Sequence, residues 1–181
     1  AKLIGYFPAY GIDVSKAHMC EIGGGVGYTA YWLYKLGARN ITQVDLPMSL
    51  LCQFYQLANN LGPDTVSFWF EDQQADISLI MPSAFLSQDT ERYDITYNFD
   101  SMPEMSQMQV LAYLAHILKT SDMFFHINHE TQSLFHGVPQ NLVPALIAGS
   151  FPGRFTRLDR NHFWLRHGYV EEWHQITPVS K

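Results

Sequence analysis

The run Met19, Cys20, Glu21, Ile22, Gly23, Gly24, Gly25, Val26, Gly27, Tyr28 constrains this chain more than any other stretch. The apolar residues from Ala17 to Ile22 suit a buried strand, and Thr29 to Leu36 carries apolar residues at helical spacing. A strand that turns at once into a helix, with a ligand against the turn, needs residues without Cβ. Gly23, Gly25 and Gly27 supply them. The unpaired N–H groups and partial positive charge at the helix N-terminus make such a turn a seat for a carboxylate or phosphate. The run therefore reads as a nucleoside-cofactor site.

Two cofactor classes compete for it. A dinucleotide fingerprint, Gly-x-Gly-x-x-Gly/Ala, places a small third residue where the helix packs against the strand. Counting from Gly23, that residue is Tyr28, which argues against a pyrophosphate lying across the turn. The pattern Glu21-x-Gly23-x-Gly25-x-Gly27 resembles motif I of class I S-adenosylmethionine (SAM) dependent methyltransferases. The resemblance implies that the loop lies under the methionine part of SAM and that Glu21 helps to hold its amino end. Ile41 to Val44 reads as the next strand, and Asp45 at its end can accept both ribose hydroxyls. NAD and SAM sites share that acid, so Asp45 alone does not discriminate.

Composition bounds the remaining options. A chain of 181 residues, 47% hydrophobic and 15% charged, is long enough for one domain with a sizeable core. Its 17 acids against 11 bases give a formal charge of −6, which argues against a nucleic-acid partner. Cys20 and Cys52 fall in an expected buried strand and an expected helix, so they read as reduced core thiols and point to a cytoplasmic location. No apolar run is long enough to span a bilayer, and residues 1–14 lack a signal pattern. The chain begins at Ala1 with a short stretch before its first strand, which suggests a fragment lacking the helical segment that covers substrate in class I methyltransferases.

Downstream, strand and helix signals alternate without repeats or linkers, which predicts an α/β doubly wound sheet. Pro47 opens a helix to about Asn60, stopped by Leu61-Gly62-Pro63. Thr65 to Phe70 reads as a third strand closed by Glu71 and Asp72, with Glu71 a candidate for the adenine amino group. Ile77 to Leu86, broken by Met81-Pro82, reads as a bent helix or crossover. Tyr93 to Asn98 is a fourth strand, Val110 to Leu118 a helix, and Met123 to Ile127 a fifth strand. Ligands in open parallel sheets bind beyond the strands' carboxyl ends at the point where strand order reverses, which places Asn98 and the residues up to Glu104 beside the cofactor. Residues 131–154 read as a broken helix and loops that shape an acceptor pocket. Phe155 to Leu158 and His162 to Ile176 read as a terminal antiparallel hairpin turning at Asp159-Arg160-Asn161, with Arg166, Glu171 and Glu172 as solvated or edge charges.

Four segments carry a family resemblance: Tyr93-Asp94-Ile95, Asn98-x-Asp100-Ser101-x-Pro103-Glu104-Met105, Ile127-Asn128-x-Glu130, and Arg166-x-Gly168-Tyr169-Val170-Glu171-Glu172-Trp173. Together they resemble the sugar O-methyltransferase family over about His18 to Trp173. The glycine loop and Asp45-Leu46-Pro47 are also similar to plant phenolic O-methyltransferases, whose histidine–tryptophan context is missing after the fifth strand. The resemblance implies a Rossmann-like class I methyltransferase fold over residues 1–181, a mostly parallel sheet with a C-terminal antiparallel hairpin, SAM as cofactor, and a saccharide or related small molecule as acceptor.

Methyl transfer to a hydroxyl needs alignment and a base. Asp100, Glu104, His129 and Glu130 are the candidates. His129 beside Glu130 offers a carboxylate-held imidazole, while Asp100, Glu104 and Glu130 offer hard oxygens for a divalent cation such as Mg²⁺, and no residue is assigned as a metal ligand. The blander readings make Asp100-Ser101 with Glu104 a helix cap, His129 a strand end, and most aromatics of the first helix core. His126-x-x-His129 lacks the partners of a zinc site. Two other functions stay open: a non-catalytic nucleotide-binding scaffold, and an NAD-dependent oxidoreductase, against which Tyr28 and the lack of a Tyr-x-x-x-Lys pair weigh.

Overall fold

The computed structural model describes residues 5–72, 74–88, 90–130, 134–135 and 137–177. The chain forms two compact units, Ala1–Ser87 and Gln88–Lys181.

In the first unit, β1 (Met19–Ile22), α1 (Tyr28–Lys35), β2 (Ile41–Val44), α2 (Pro47–Leu61), β3 (Val66–Phe68), β4 (Ile77–Ile80) and α3 (Pro82–Ser87) follow one another. The strands lie in the order β3-β4-β2-β1, and each neighbouring pair is parallel. Parallel strands covered on both faces have no solvated side. Accordingly all of β1 and β2 is buried, polar Glu21, Thr42 and Gln43 included. Pro47 starts α2, which buries Leu50, Gln53 and Leu57 along one stripe. The segment 77–86, expected as a bent helix or crossover, is a strand followed by a short helix. Ile77–Ile80 pairs with both β2 and β3, and Pro82, which has no amide to donate, opens α3.

In the second unit, β5 (Tyr93–Phe99), α4 (Gln107–Thr120), β6 (Ser121–His129), the short pair β7 (Leu134–Phe135) and β8 (Val138–Pro139), α5 (Val143–Ser150), β9 (Phe155–His162) and β10 (Tyr169–Ile176) are arranged with the order β5-β6-β10-β9 in the main sheet. β5 and β6 are parallel, and β10 runs antiparallel to β6 and β9. The terminal hairpin is present, but its turn lies after His162. Asp159, Arg160 and Asn161 pair across the ladder with Trp173, Glu172 and Glu171, and the chain reverses where Phe163 N donates to Tyr169 O and Gly168 takes a positive φ. Arg160 belongs to a strand because its partner on β10, Glu172, carries the opposite charge and receives its guanidinium. Trp173 packs on Phe125 with centroids 4.5 Å apart, an aromatic pair of the kind that contributes about 1 kcal/mol beyond its buried area.

Two further expectations change. Tyr28 and Trp32 of α1 are largely exposed rather than core, because the helix buries only Ala30 and Leu33 fully. Both cysteines are free, but only Cys20 is buried, and Cys52 lies on the open side of α2. In the region 131–154 a two-strand hairpin precedes α5, while residues 131–133 and 136 lie outside the described residues. No helix among the described residues is long and apolar enough to cross a membrane.

Candidate functional site

The first unit builds a cradle at the carboxyl ends of β1 and β2. Gly23 N donates to Val44 O, and the turn then passes through Gly23, Gly25 and Gly27 at positive φ. Gly24 is held by contact instead of φ: a Cβ there would collide with Gln43 Oε1, the end of a buried side chain. Cross-strand register sets Glu21 opposite Gln43, whose Nε2 donates to Glu21 Oε2 at 2.9 Å. Burial pushes the Glu21 carboxyl up to about 7, with hydrogen bonds from Gln43 and Thr29 opposing and Asp45 adding to the rise. Glu21 is thus a buried acid able to change charge near neutrality.

Asp45 holds the loop from its other side. Its Oδ2 accepts from Gly25 N at 2.9 Å and Gln53 Nε2 at 3.0 Å, and its Oδ1 accepts from Leu46 N at 2.8 Å. Gln53 also donates to Gly25 O at 3.1 Å. A carboxylate has about four acceptor sites, so protein donors occupy most of those expected for ribose, and room remains for about one hydroxyl. Gln43 and Gln53 were not singled out in the sequence. A glutamine in a short buried strand, in register with an acid, was the available sign for the first. Glu71 follows edge strand β3, with β4 intervening before β2, and its carboxylate accepts from Phe68 N at 2.8 Å. It closes a turn there.

In the second unit the end of β5 meets β6 and β10. Asp100 has φ +59°, a left-handed conformation rare for a residue with Cβ. Its Oδ2 accepts from Tyr169 Oη at 2.9 Å and from Arg166, whose guanidinium also lies 4.2 Å over the Tyr169 ring. His129, opposite Tyr169 across the ladder, places Nε2 2.7 Å from the same phenol oxygen and 3.8 Å from Asp100 Oδ1. The carboxylate can only accept, so the phenol donates to Asp100 and accepts from His129 Nε2–H, leaving the lone pair on Nδ1. Burial raises the Tyr169 phenol, and the Asp100 hydrogen bond and charge raise it further against Arg166, which keeps it a donor.

Of the four expected catalytic residues, Asp100 and His129 come together. Arg166, expected as an edge charge, and Tyr169 complete the cluster. Glu130 turns elsewhere, with Oε2 on Arg160 and Oε1 3.5 Å from His162. His129 is therefore linked to Asp100 through Tyr169 and not held by Glu130. Glu104 is exposed at the end of a 3-10 turn, Met102–Glu104. Asp100, Glu104 and Glu130 do not form a three-ligand metal group among the described residues; arginines already pair with two of them. Asn98 is buried and donates to Ser101 Oγ at 2.5 Å, bracing the bend before Asp100. Glu171 and Glu172 are buried, contrary to expectation.

No protein-family model and no curated protein sequence matches the chain. Solved structures do match its fold. The magnesium protoporphyrin IX methyltransferase of Synechocystis PCC 6803 with bound SAM aligns over 97% of this chain and 77% of its own, with TM-score 0.66 and 15% identity. The glycopeptide N-methyltransferase MtfA complexed with sinefungin aligns over 98% and 86%, with TM-score 0.70 and 10% identity. A Pyrococcus horikoshii protein proposed as an RNA methyltransferase aligns over 97% and 82%, with TM-score 0.66 and 14% identity. The chain thus has the Rossmann-like methyltransferase fold. Those neighbours are named for quite different substrates.

Proposed function

We propose that the chain is a SAM-dependent O-methyltransferase that transfers a methyl group to a hydroxyl of a sugar or glycan-related small molecule. The observation that carries this reading is the Glu21 cradle, a buried acid with a near-neutral pKa beside a glycine turn, in a fold whose solved examples include complexes with SAM, S-adenosylhomocysteine and sinefungin. Glu21 receives the ammonium end of SAM, the loop from Gly23 to Gly27 lies under its methionine part, and Asp45 accepts one ribose hydroxyl. Two free cysteines fit a reducing, cytoplasmic setting. The sugar assignment rests on the segments around Asn98 to Met105, Asn128 and Tyr169.

His129 Nδ1 acts as the base. The acceptor oxygen attacks the methyl carbon, the C–S bond breaks with its electron pair left on sulfur, and the hydroxyl proton passes to Nδ1. Asp100 stabilises the resulting imidazolium through the Tyr169 phenol, and Arg166 fixes Asp100. Glu104, exposed nearby, is available to the acceptor's other hydroxyls. The test is transfer of labelled methyl from SAM to a panel of nucleotide sugars and glycans. Turnover is expected with at least one, and His129→Ala is expected to lose about 10²–10⁴-fold in rate with SAM affinity retained. SAM binding without turnover on any acceptor would instead favour a non-catalytic binding domain.

A further inference from the structure

One face of the β6–β10–β9 ribbon buries polar side chains where a sheet ordinarily buries apolar ones. Register sets His126 opposite Glu172 and Phe124 opposite His174, and strand alternation puts Glu172 and His174 on the same face. All three polar residues are almost fully removed from water: His126 is 0% exposed, Glu172 1% and His174 3%. Glu172 divides its oxygens between two tasks. Oε1 accepts from Arg157 at 3.2 Å and from Arg160. Oε2 meets the imidazoles, with His174 Nε2 at 3.2 Å and His126 Nε2 at 3.3 Å. Among the described residues, no partner meets hydrogen-bond geometry with either ring nitrogen of His126 or with His174 Nδ1. Buried polar atoms left unpaired carry their full desolvation penalty, so this arrangement calls for an occupant that hydrogen bonding does not provide.

We propose that His126, Glu172 and His174 bind a divalent transition-metal ion of the zinc type. The donor atoms of the three residues lie within 4.8 Å of one another. A tetrahedral zinc with bonds near 2.0–2.1 Å separates neighbouring ligand atoms by roughly 3.3 Å, and the two Nε2–Oε2 separations are 3.2 and 3.3 Å. Two imidazoles and one carboxylate suit zinc, whereas Mg²⁺ and Ca²⁺ prefer oxygen throughout. The protonation states agree with the geometry. Burial holds His126 below the usual imidazole range, against the pull of Glu172, so the ring is neutral and offers a lone pair. Burial favours a protonated Glu172, but the neighbouring His126 and His174 rings and the Arg160 guanidinium outweigh it and hold the carboxyl well below the usual carboxylate range. Arg157 and Arg160, bound to Oε1, orient the carboxylate as outer hydrogen bonds do for metal ligands. Phe124 and Phe155 pack beside His174 as an apolar wall. The ion ties β6 to β10 and leaves its fourth position to water.

This site is independent of the SAM reading, and its test keeps the two apart. The full chain, stripped with chelator, is titrated with Zn²⁺ alone and, in parallel, with Co²⁺. The site predicts one zinc per chain, a raised thermal midpoint and the intense visible absorption of four-coordinate cobalt. His174→Phe and His126→Phe keep a flat ring and remove a donor. Each is expected to abolish the cobalt band and weaken zinc binding by at least about a hundredfold, more than loss of an outer partner. Absence of stoichiometric zinc binding by the unmodified chain, or binding unchanged in both ring variants, overturns the site and leaves a closed ion-pair network. SAM affinity read on the same samples shows whether the cofactor reading fails separately.

Discussion

Glu21 carries the clearest consequence at the scale of single residues. Its folded pKa, about 7, stands above the 4.5 of an ordinary glutamate. Between those values the folded chain keeps a proton that the unfolded chain has released. The group's contribution to stability is therefore full below about pH 4.5 and is lost as pH rises through about 7. The amount is on the order of 3 kcal/mol. Glu21→Gln removes this titration, so urea unfolding at pH 5 and pH 8 is expected to show a smaller difference for the variant than for the unmodified chain. An equal difference in both would remove Glu21 as the source. Glu21 and Asp45 stand out in the sequence because one lies two residues before the glycine turn and the other directly follows the next strand, and both carboxylates hydrogen-bond at the loop end of the sheet. Tyr169 and Arg166 were not recognised as partners of Asp100, because only the folded sheet brings the start of β10 to the end of β5 and β6. Glu171 and Glu172 misled for a related reason: charge reads as exposure until a partner such as Arg160 appears across the ladder.

At the scale of elements, the glycine-loop unit was read well, since β1, α1, β2 and α2 each combine a strong period with a clear stop. β4 was missed because Ile77–Ile80 is a short buried run, without the alternation that separates strand from helix. The alternative reading of Asp100-Ser101 with Glu104 as a helix cap falls on a short 3-10 turn and not on α4. Asp100 and Ser101 precede a 3-10 turn, and the cap of α4 is Ser106, whose Oγ accepts from Gln109 N while Gln109 Oε1 accepts from Ser106 N at 3.1 Å. Ser106→Ala removes one half of this reciprocal box. It is expected to lower stability by about 1 kcal/mol, seen as a lower urea midpoint with unchanged slope. A midpoint equal to that of the unmodified chain would mean that the cap contributes nothing.

For the whole molecule, chain order carried most of the fold. Alternating strands and helices, followed by two long terminal strands, left a mostly parallel α/β arrangement with a final hairpin as the consistent reading, and the solved neighbours share it across nearly the full chain. Function is less firmly tied to that scale, because the same fold appears in neighbours named for porphyrin, glycopeptide and RNA methylation. The proposed choice between the cofactor classes rests on the cradle, where Tyr28 stands at the position a dinucleotide turn gives to a small residue and Glu21 is a buried acid. Isothermal calorimetry of the full chain with SAM and with NAD at pH 8 is the most direct measurement. Saturable binding of SAM at one site per chain, with no binding of NAD, is the predicted result; binding of NAD with none of SAM would contradict it.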